Sequence, residues 1–204
     1  MIKMDKPEFA IADVPPGRLN ALVKNIMAQM GIDDPGEAVR RVNSGEWVVR
    51  IAGLLKPVAT VQVSSTPKFI ASEHVQTANV GWMGDNFRRV FLNFVEENMS
   101  DATLAVSRIE RNSLDAPILT ELGDKAETKL AYLFQLMEKQ SRGEEGMLLV
   151  NGYANIVYVE DEDNTVWAVH AHWYSDYGCW YVDAYSVGDP SEWGAGYQVL
   201  SRDS

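Results

Sequence analysis

A chain of 204 residues with 46% apolar and 23% charged residues can build one sizeable core and lacks the polar bias of a disordered protein. Its formal net charge of −11 sits in one half: residues 1–113 hold 13 Lys+Arg against 13 Asp+Glu, a difference of zero, whereas residues 114–204 hold 5 against 16. The second half therefore opposes direct nucleic-acid binding by its own field, the lone Cys179 allows no internal disulfide, and no window reaches the roughly 18 uninterrupted apolar residues of a membrane span.

The opening "MIKMDKPEFAIADVPPGRLN" has no apolar run of secretory length, which predicts a cytoplasmic protein. Residues 17–30 carry Leu19, Leu22, Val23, Ile26, Met27 and Met30 at helical spacing, hence an amphipathic helix. "DDPGEAVRRVNSG" predicts a second helix, with Asp34 as N-cap, Pro35 in the first position and Gly45 beyond the end. "EWVVRIAGLL" continues as an extended segment. These elements make residues 1–56 a small helical module and residues 57–204 an α+β domain with an acidic C-terminal half.

From Pro57 the apolar period becomes two, with Ala59, Val61 and Val63 alternating against Thr60, Gln62 and Ser64, as in a half-buried strand. "STPK" turns the chain into another extended run through Phe69 and Ile70. Asp85 is placed to cap a helix reaching about Asn98, with Phe87, Val90, Phe91, Phe94 and Val95 on its buried face, and a strand follows near 102–109. "SLDAPILTELGDKAETKLAYLFQLMEKQ" reads as two helices broken at Gly123, the longer running from Asp124 to about Gln140 with Ala126, Leu130, Leu133, Phe134 and Met137 on one stripe. "GDPSEWGAG" suggests one helical turn started by Asp189 and Pro190, with Trp193 folding back as an anchor. The expected fold is an antiparallel sheet, ending in a three-stranded meander and packed on one face by helices.

The meander comprises strands near 153–160, 165–174 and 179–187, joined by "DEDN" and "SDYG". A two- or four-residue second loop puts Tyr174 opposite Cys179, His172 opposite Tyr181, His170 opposite Asp183 and Ala168 opposite Tyr185. The same parity in the first hairpin places Asn155 near His170 and Tyr153 near His172. Trp167, Val169, Ala171, Trp173, Trp180, Val182, Ala184, Tyr158, Ile156 and Ala154 then share an apolar layer. His170, His172, Tyr174, Cys179, Tyr181, Asp183, Tyr185, Tyr153 and Asn155 share the other side, the candidate ligand-binding face. A three-residue loop with a bulge at Gly178 is the second arrangement, because a slip by one residue mixes the two sets.

Two chemistries compete with plain binding there. His170 and His172, two apart on a strand, could hold a metal with Asp183 as the oxygen ligand, although such spacing also suits histidines hydrogen-bonded to Asp183, Asn155 or water. Cys179 beside His172 has the residue types of a base-activated thiol, but diagonal neighbours stand roughly 7–8 Å apart. The sequence has no GxxxxGK[ST], GxGxxG, HExxH, GxSxG or CxxC motif, and no cofactor is expected.

The wording from "SLDAPILTELGDKAET" through "NGYANIVYVEDEDNTVWAV" to "DPSEW" and "QVLSR" resembles a family of uncharacterised bacterial proteins, and "DDPGEAVRRVNSGEW" is similar to a short module found ahead of other C-terminal regions. The resemblance implies a bacterial origin and an accessory or mobile-gene context, and brings no activity or site residue. The expected function is non-catalytic: an immunity- or inhibitor-like binding protein whose acidic half meets a protein partner, preferentially a basic one. The alternative is a small-ligand-binding protein or a metal-dependent enzyme using His170, His172 and Asp183.

Overall fold

The computed structural model describes residues 53–203 and, before them, the five positions Asp34, Gly36, Glu37, Arg40 and Ser44. The chain divides into two compact units at Ala52/Gly53. Of the first unit, Gly36, Glu37 and Arg40 are helical, and the Asp34 carboxylate accepts the Gly36 N–H at 2.9 Å, the bond expected of an N-cap. The helix expected over 17–30 and the extended stretch up to residue 52 lie outside the described residues.

The second unit is α+β. Its strands are β1 (Leu55–Val63), β2 (Thr66–Ile70), β3 (Val80–Met83), β4 (Val95–Met99), β5 (Ala102–Ile109), β6 (Asn155–Glu160), β7 (Val166–Tyr174), β8 (Cys179–Ser186) and β9 (Gln198–Arg202). Its α-helices are α1 (Ala71–His74), α2 (Asp85–Val90), α3 (Asp115–Leu122) and α4 (Leu130–Lys139). Seven strands form one sheet in the order β1-β5-β9-β6-β7-β8-β3, and β2 pairs with β4 separately. Neighbours in the large sheet are antiparallel except β6 with β9 and β8 with β3. Among the described residues, no helix is long and apolar enough to cross a membrane.

Alternation decides what each face of the sheet buries. Val157, Val159, Val169, Ala171, Trp173, Trp180, Val182 and Ala184 meet Leu130, Leu133, Phe134 and Met137 of α4, with Phe69, Phe87 and Phe91 filling in beside them. On the other face Ala154, Ile156, Tyr158, Ala168 and Val199 pack with Ile109, Ile118 of α3 and Trp193. The expectation of helices on one face only is thus corrected. A sheet whose strands carry apolar residues on both sides has to be covered on both, and α3 with the 189–197 segment supplies the second cover.

The meander exists, and its second hairpin has the expected register: a four-residue turn pairs Tyr174 with Cys179, His172 with Tyr181, His170 with Asp183 and Ala168 with Tyr185. The first hairpin is displaced by one residue. Asn155 pairs with Ala171, Ile156 with His170 and Tyr158 with Ala168, so Ala154, Ile156 and Tyr158 share the histidine side and Asn155 leaves it. The cause is a five-residue loop organised by Asp161, whose Oδ1 accepts the N–H groups of Asp163 and Thr165 and whose Oδ2 accepts Trp167 Nε1. Asn164 takes the left-handed conformation (φ 58°) that this loop needs. Asn155, fully buried, bonds instead to Leu149, Ala171 and Gln198.

Two helices differ from expectation for related reasons. The helix begun at Asp85 ends at Val90, because residues 95–99 pair as β4 with β2. A run such as "FLNFVEENM" presents an apolar side at either period, and strand pairing selects period two. The longer helix starts at Leu130 rather than Asp124, since Thr128 donates its N–H to the Tyr158 carbonyl and Lys129 is extended. Both displacements meet at Glu96 on β4. Its carboxylate, only 5% exposed, accepts the N–H of Leu130 at 3.0 Å and of Ala131 at 2.8 Å, capping α4 from another element. Burial pushes this carboxyl above its ordinary range, against the pull of the two backbone donors.

Glu96→Ala leaves two helix-terminal donors buried without an acceptor and is expected to lower unfolding stability by about 2–3 kcal/mol, with Glu96→Gln losing less because one carbonyl remains. Urea unfolding of the three proteins checks this; equal stability of Ala and Gln variants would contradict it.

Candidate functional site

β7 and β8 set out the candidate face, because residues two apart on each strand project to the same side. From β7 come His170 and His172, from β8 Tyr185, and from the loop before β9 come Trp193 and Tyr197. Together with Asp115, Ala154, Asp189 and Glu192 they line a cavity of about 400 Å³. The expected helical turn at 189–192 is absent. Instead the Asp189 carboxylate accepts the Ser191 N–H at 2.8 Å in a tight local turn, and Trp193 is nonetheless the expected anchor, buried and bridged to Ser113.

The wall is built on one carboxylate. Asp115, the first residue of α3, is buried, and its Oδ1 accepts both the Tyr158 hydroxyl and Trp193 Nε1 at 2.7 Å. Burial raises its pKa against these two donors. Trp193, fixed in this way, lies edge-on to His170 at 5.2 Å between ring centroids and stacks with Tyr185 at 5.8 Å. His170 and Tyr185 are themselves 4.9 Å apart.

His170 is 6% exposed, and its Nδ1 is buried without a hydrogen-bond partner. Burial, helped by His172, lowers its pKa to about 3, so the ring is neutral at physiological pH. His172 stacks on it at 6.2 Å and is also lowered by burial. With the His170 proton on Nε2, the unpaired Nδ1 is an acceptor, a less costly orphan than a buried N–H. Both imidazoles thus stand as neutral polar groups on an aromatic wall.

Other expected members of the site are placed differently. Asp183 faces His170 in the register, yet its carboxylate lies directly against Gly84, in the space an added Cβ would need, and accepts the Ala184 N–H. It therefore serves the start of α2; burial raises its pKa, while the Ala184 and Phe87 amides pull it back. Cys179 is buried with Sγ packed over Gly81 of β3, which removes it from His172 as a ready nucleophile. Among the described residues, no three His, Cys, Asp or Glu side chains group closely enough to hold a metal ion. Tyr153 stands at the rim, 5.4 Å from Tyr197. Tyr174 and Tyr181 stack with each other at 4.9 Å, and Tyr181 meets His172 at 5.5 Å just outside the cavity.

Sequence reasoning missed Asp115, Asp189, Glu192 and Tyr197. "SLDAP" identifies Asp115 only as an acidic residue in a first helical turn, and nothing local says it is buried. No protein-family model matches this chain, and comparison with curated proteins and with solved structures gives no match. The functional reading therefore rests on the geometry.

The low pKa of His170 gives a pH signature. Unfolded, the ring titrates near 6.5; folded, near 3, so between those values the unfolded chain binds the proton and stability falls as pH falls. The groups facing it are His172, Tyr185 and Trp193, with Asp115, Asp189 and Glu192 around the same cavity. Lowering pH from 7.5 to 5.5 is expected to cost the wild type about 1 kcal/mol more than His170→Phe, which retains the carboxylates and loses the titrating ring. Denaturant unfolding at the two pH values measures the difference; parallel losses would show that His170 is not the group responsible.

Proposed function

We propose that this protein binds a basic partner by receiving a cationic group of that partner in the His170 cavity. The observation that carries this reading is the lining itself: Asp115, Asp189 and Glu192 contribute carboxylates and Tyr185, Trp193 and Tyr197 contribute rings, with no Lys or Arg among them. Aromatic faces attract cations through their quadrupole, and carboxylates add charge complementarity. Hydrogen bonds from Ser191 keep Asp189 below the ordinary carboxylate range, hence ionised. Neutral imidazoles at His170 and His172 add polar contacts without opposing positive charge.

The acidic excess over residues 114–204 supports the same reading by steering a basic protein toward this half. Binding without catalysis, as in an inhibitor or immunity-type accessory protein, fits the arrangement better than acid–base or thiol chemistry. His170 has no orienting hydrogen bond, Asp183 is engaged at α2, and Cys179 is packed against Gly81.

Titration calorimetry with an arginine-rich peptide is the test. Affinity is expected to fall about 10-fold or more between 50 and 300 mM salt, and comparably in the double variant Asp189→Asn/Glu192→Gln. Salt-independent binding, or affinity unchanged in the variant, would overturn the assignment.

A further inference from the structure

The rings do not stop at the cavity mouth. His172, stacked on His170, meets Tyr181 at 5.5 Å; Tyr181 stacks on Tyr174 at 4.9 Å with 12° between planes; Tyr174 stacks on Tyr177 at 5.2 Å. Trp82 of β3 joins from the side, 5.5 Å from Tyr181. Tyr177 is 71% exposed and Trp82 43%, with Tyr174 also exposed. Single exposed aromatics are ordinary, but a contiguous row of them marks an interaction surface. The inner end of this row is the nine-tenths-buried His170, whose Nδ1 lacks a partner.

Charge and spacing say what the row suits. The cavity end carries Asp115, Asp189 and Glu192, and Asp176 adjoins Tyr177 in the β7–β8 turn. At the Trp82 end, Arg88 donates Nε to the Met83 carbonyl and stands with Asp85 and Asp183 around one hollow, so that end carries carboxylates as well. His170, His172 and Tyr174 project from alternate positions of β7, a repeat of about 6.8 Å, which is also the spacing of same-side residues in an extended peptide. A phosphate backbone is disfavoured by the carboxylates. A guanidinium fits the stacked tyrosines better than an ammonium, being planar and more weakly hydrated.

We propose that the ridge continues the cavity's site and that its occupant is an extended, arginine-bearing segment of the partner, with one guanidinium in the cavity and a second stacked on Tyr174, Tyr177 and Tyr181. The inference rests on the cavity reading for its first contact and adds the shape and residue type of the ligand. Ring-to-ring steps of 4.9–6.2 Å from Trp193 to Tyr177 accommodate at most roughly eight extended residues.

The experiment compares two peptides by calorimetry on the full chain: a Gly/Ser nonapeptide with an arginine near each end, and a tripeptide amide with one central arginine. The nonapeptide is expected to bind at least about 10-fold more tightly. Tyr174→Ala/Tyr177→Ala, whose folding is verified by its melting curve, removes that advantage while leaving tripeptide affinity unchanged, and lysine replacing arginine in the nonapeptide weakens it several-fold. Equal affinity of the two peptides, or a nonapeptide indifferent to the double substitution, overturns the ridge and leaves the cavity reading standing. If neither peptide binds, the cavity reading itself fails. Self-association in sedimentation that the double substitution abolishes would assign the ridge to a second copy of the chain and overturn the proposal as well.

Discussion

The double acceptance at Asp115 Oδ1 holds the histidine side of the sheet together. One oxygen fixes the Tyr158 hydroxyl on β6 and the Trp193 indole of the segment before β9, while the backbone of the same residue opens α3. Three elements distant in sequence are thereby clamped at one buried carboxyl group. Each donor is an amphipathic ring whose polar tip would be unpaired without it, and the carboxyl would be desolvated without them. Trp193 becomes a wall only because its N–H has this partner, and the orientation of Tyr185 and His170 follows from that wall.

The two faces consequently do different work. Under α4 the sheet is a dry packing of tryptophans, valines and phenylalanines, which gives rigidity. On the other side the packing thins from Ile156 and Tyr158 toward the neutral histidines and then the exposed tyrosines, so polarity and exposure rise along β7. A ligand meeting this face encounters groups already held by a rigid backing, the condition under which little ordering free energy is lost on binding.

Legibility in the sequence followed the range of the forces involved. β1, β2, β5 and the β7–β8 pairing could be read because alternation and a four-residue turn are local facts, and the split between Trp173/Trp180 and His172/Tyr181 admits a single register. The β6 register could not, since one additional loop residue, stabilised by Asp161 and the left-handed Asn164, reverses every side chain of that strand. The short α2 and the late start of α4 depend on Glu96 crossing from β4, a contact more than thirty residues away in sequence. The site was half visible for the same reason. His170, His172, Tyr181 and Tyr185 declare themselves by alternation, whereas Asp115, Asp189 and Glu192 reach the cavity only through the fold.

The position of β9 has a consequence for how the sheet is made. This strand, which follows all the others in the chain, lies between β5 and β6 and is hydrogen-bonded to both. During synthesis β1 with β5 and the β6–β8 hairpins therefore exist as two unjoined halves, each showing an unpaired border of backbone amides and carbonyls. Joining them takes contacts between residues far apart in the chain, such as Leu104 with Arg202, which makes assembly slow and the half-built chain prone to pairing with its neighbours. The wall of the His170 cavity, which includes Trp193 and Tyr197 of the segment leading into β9, is completed only with that last insertion.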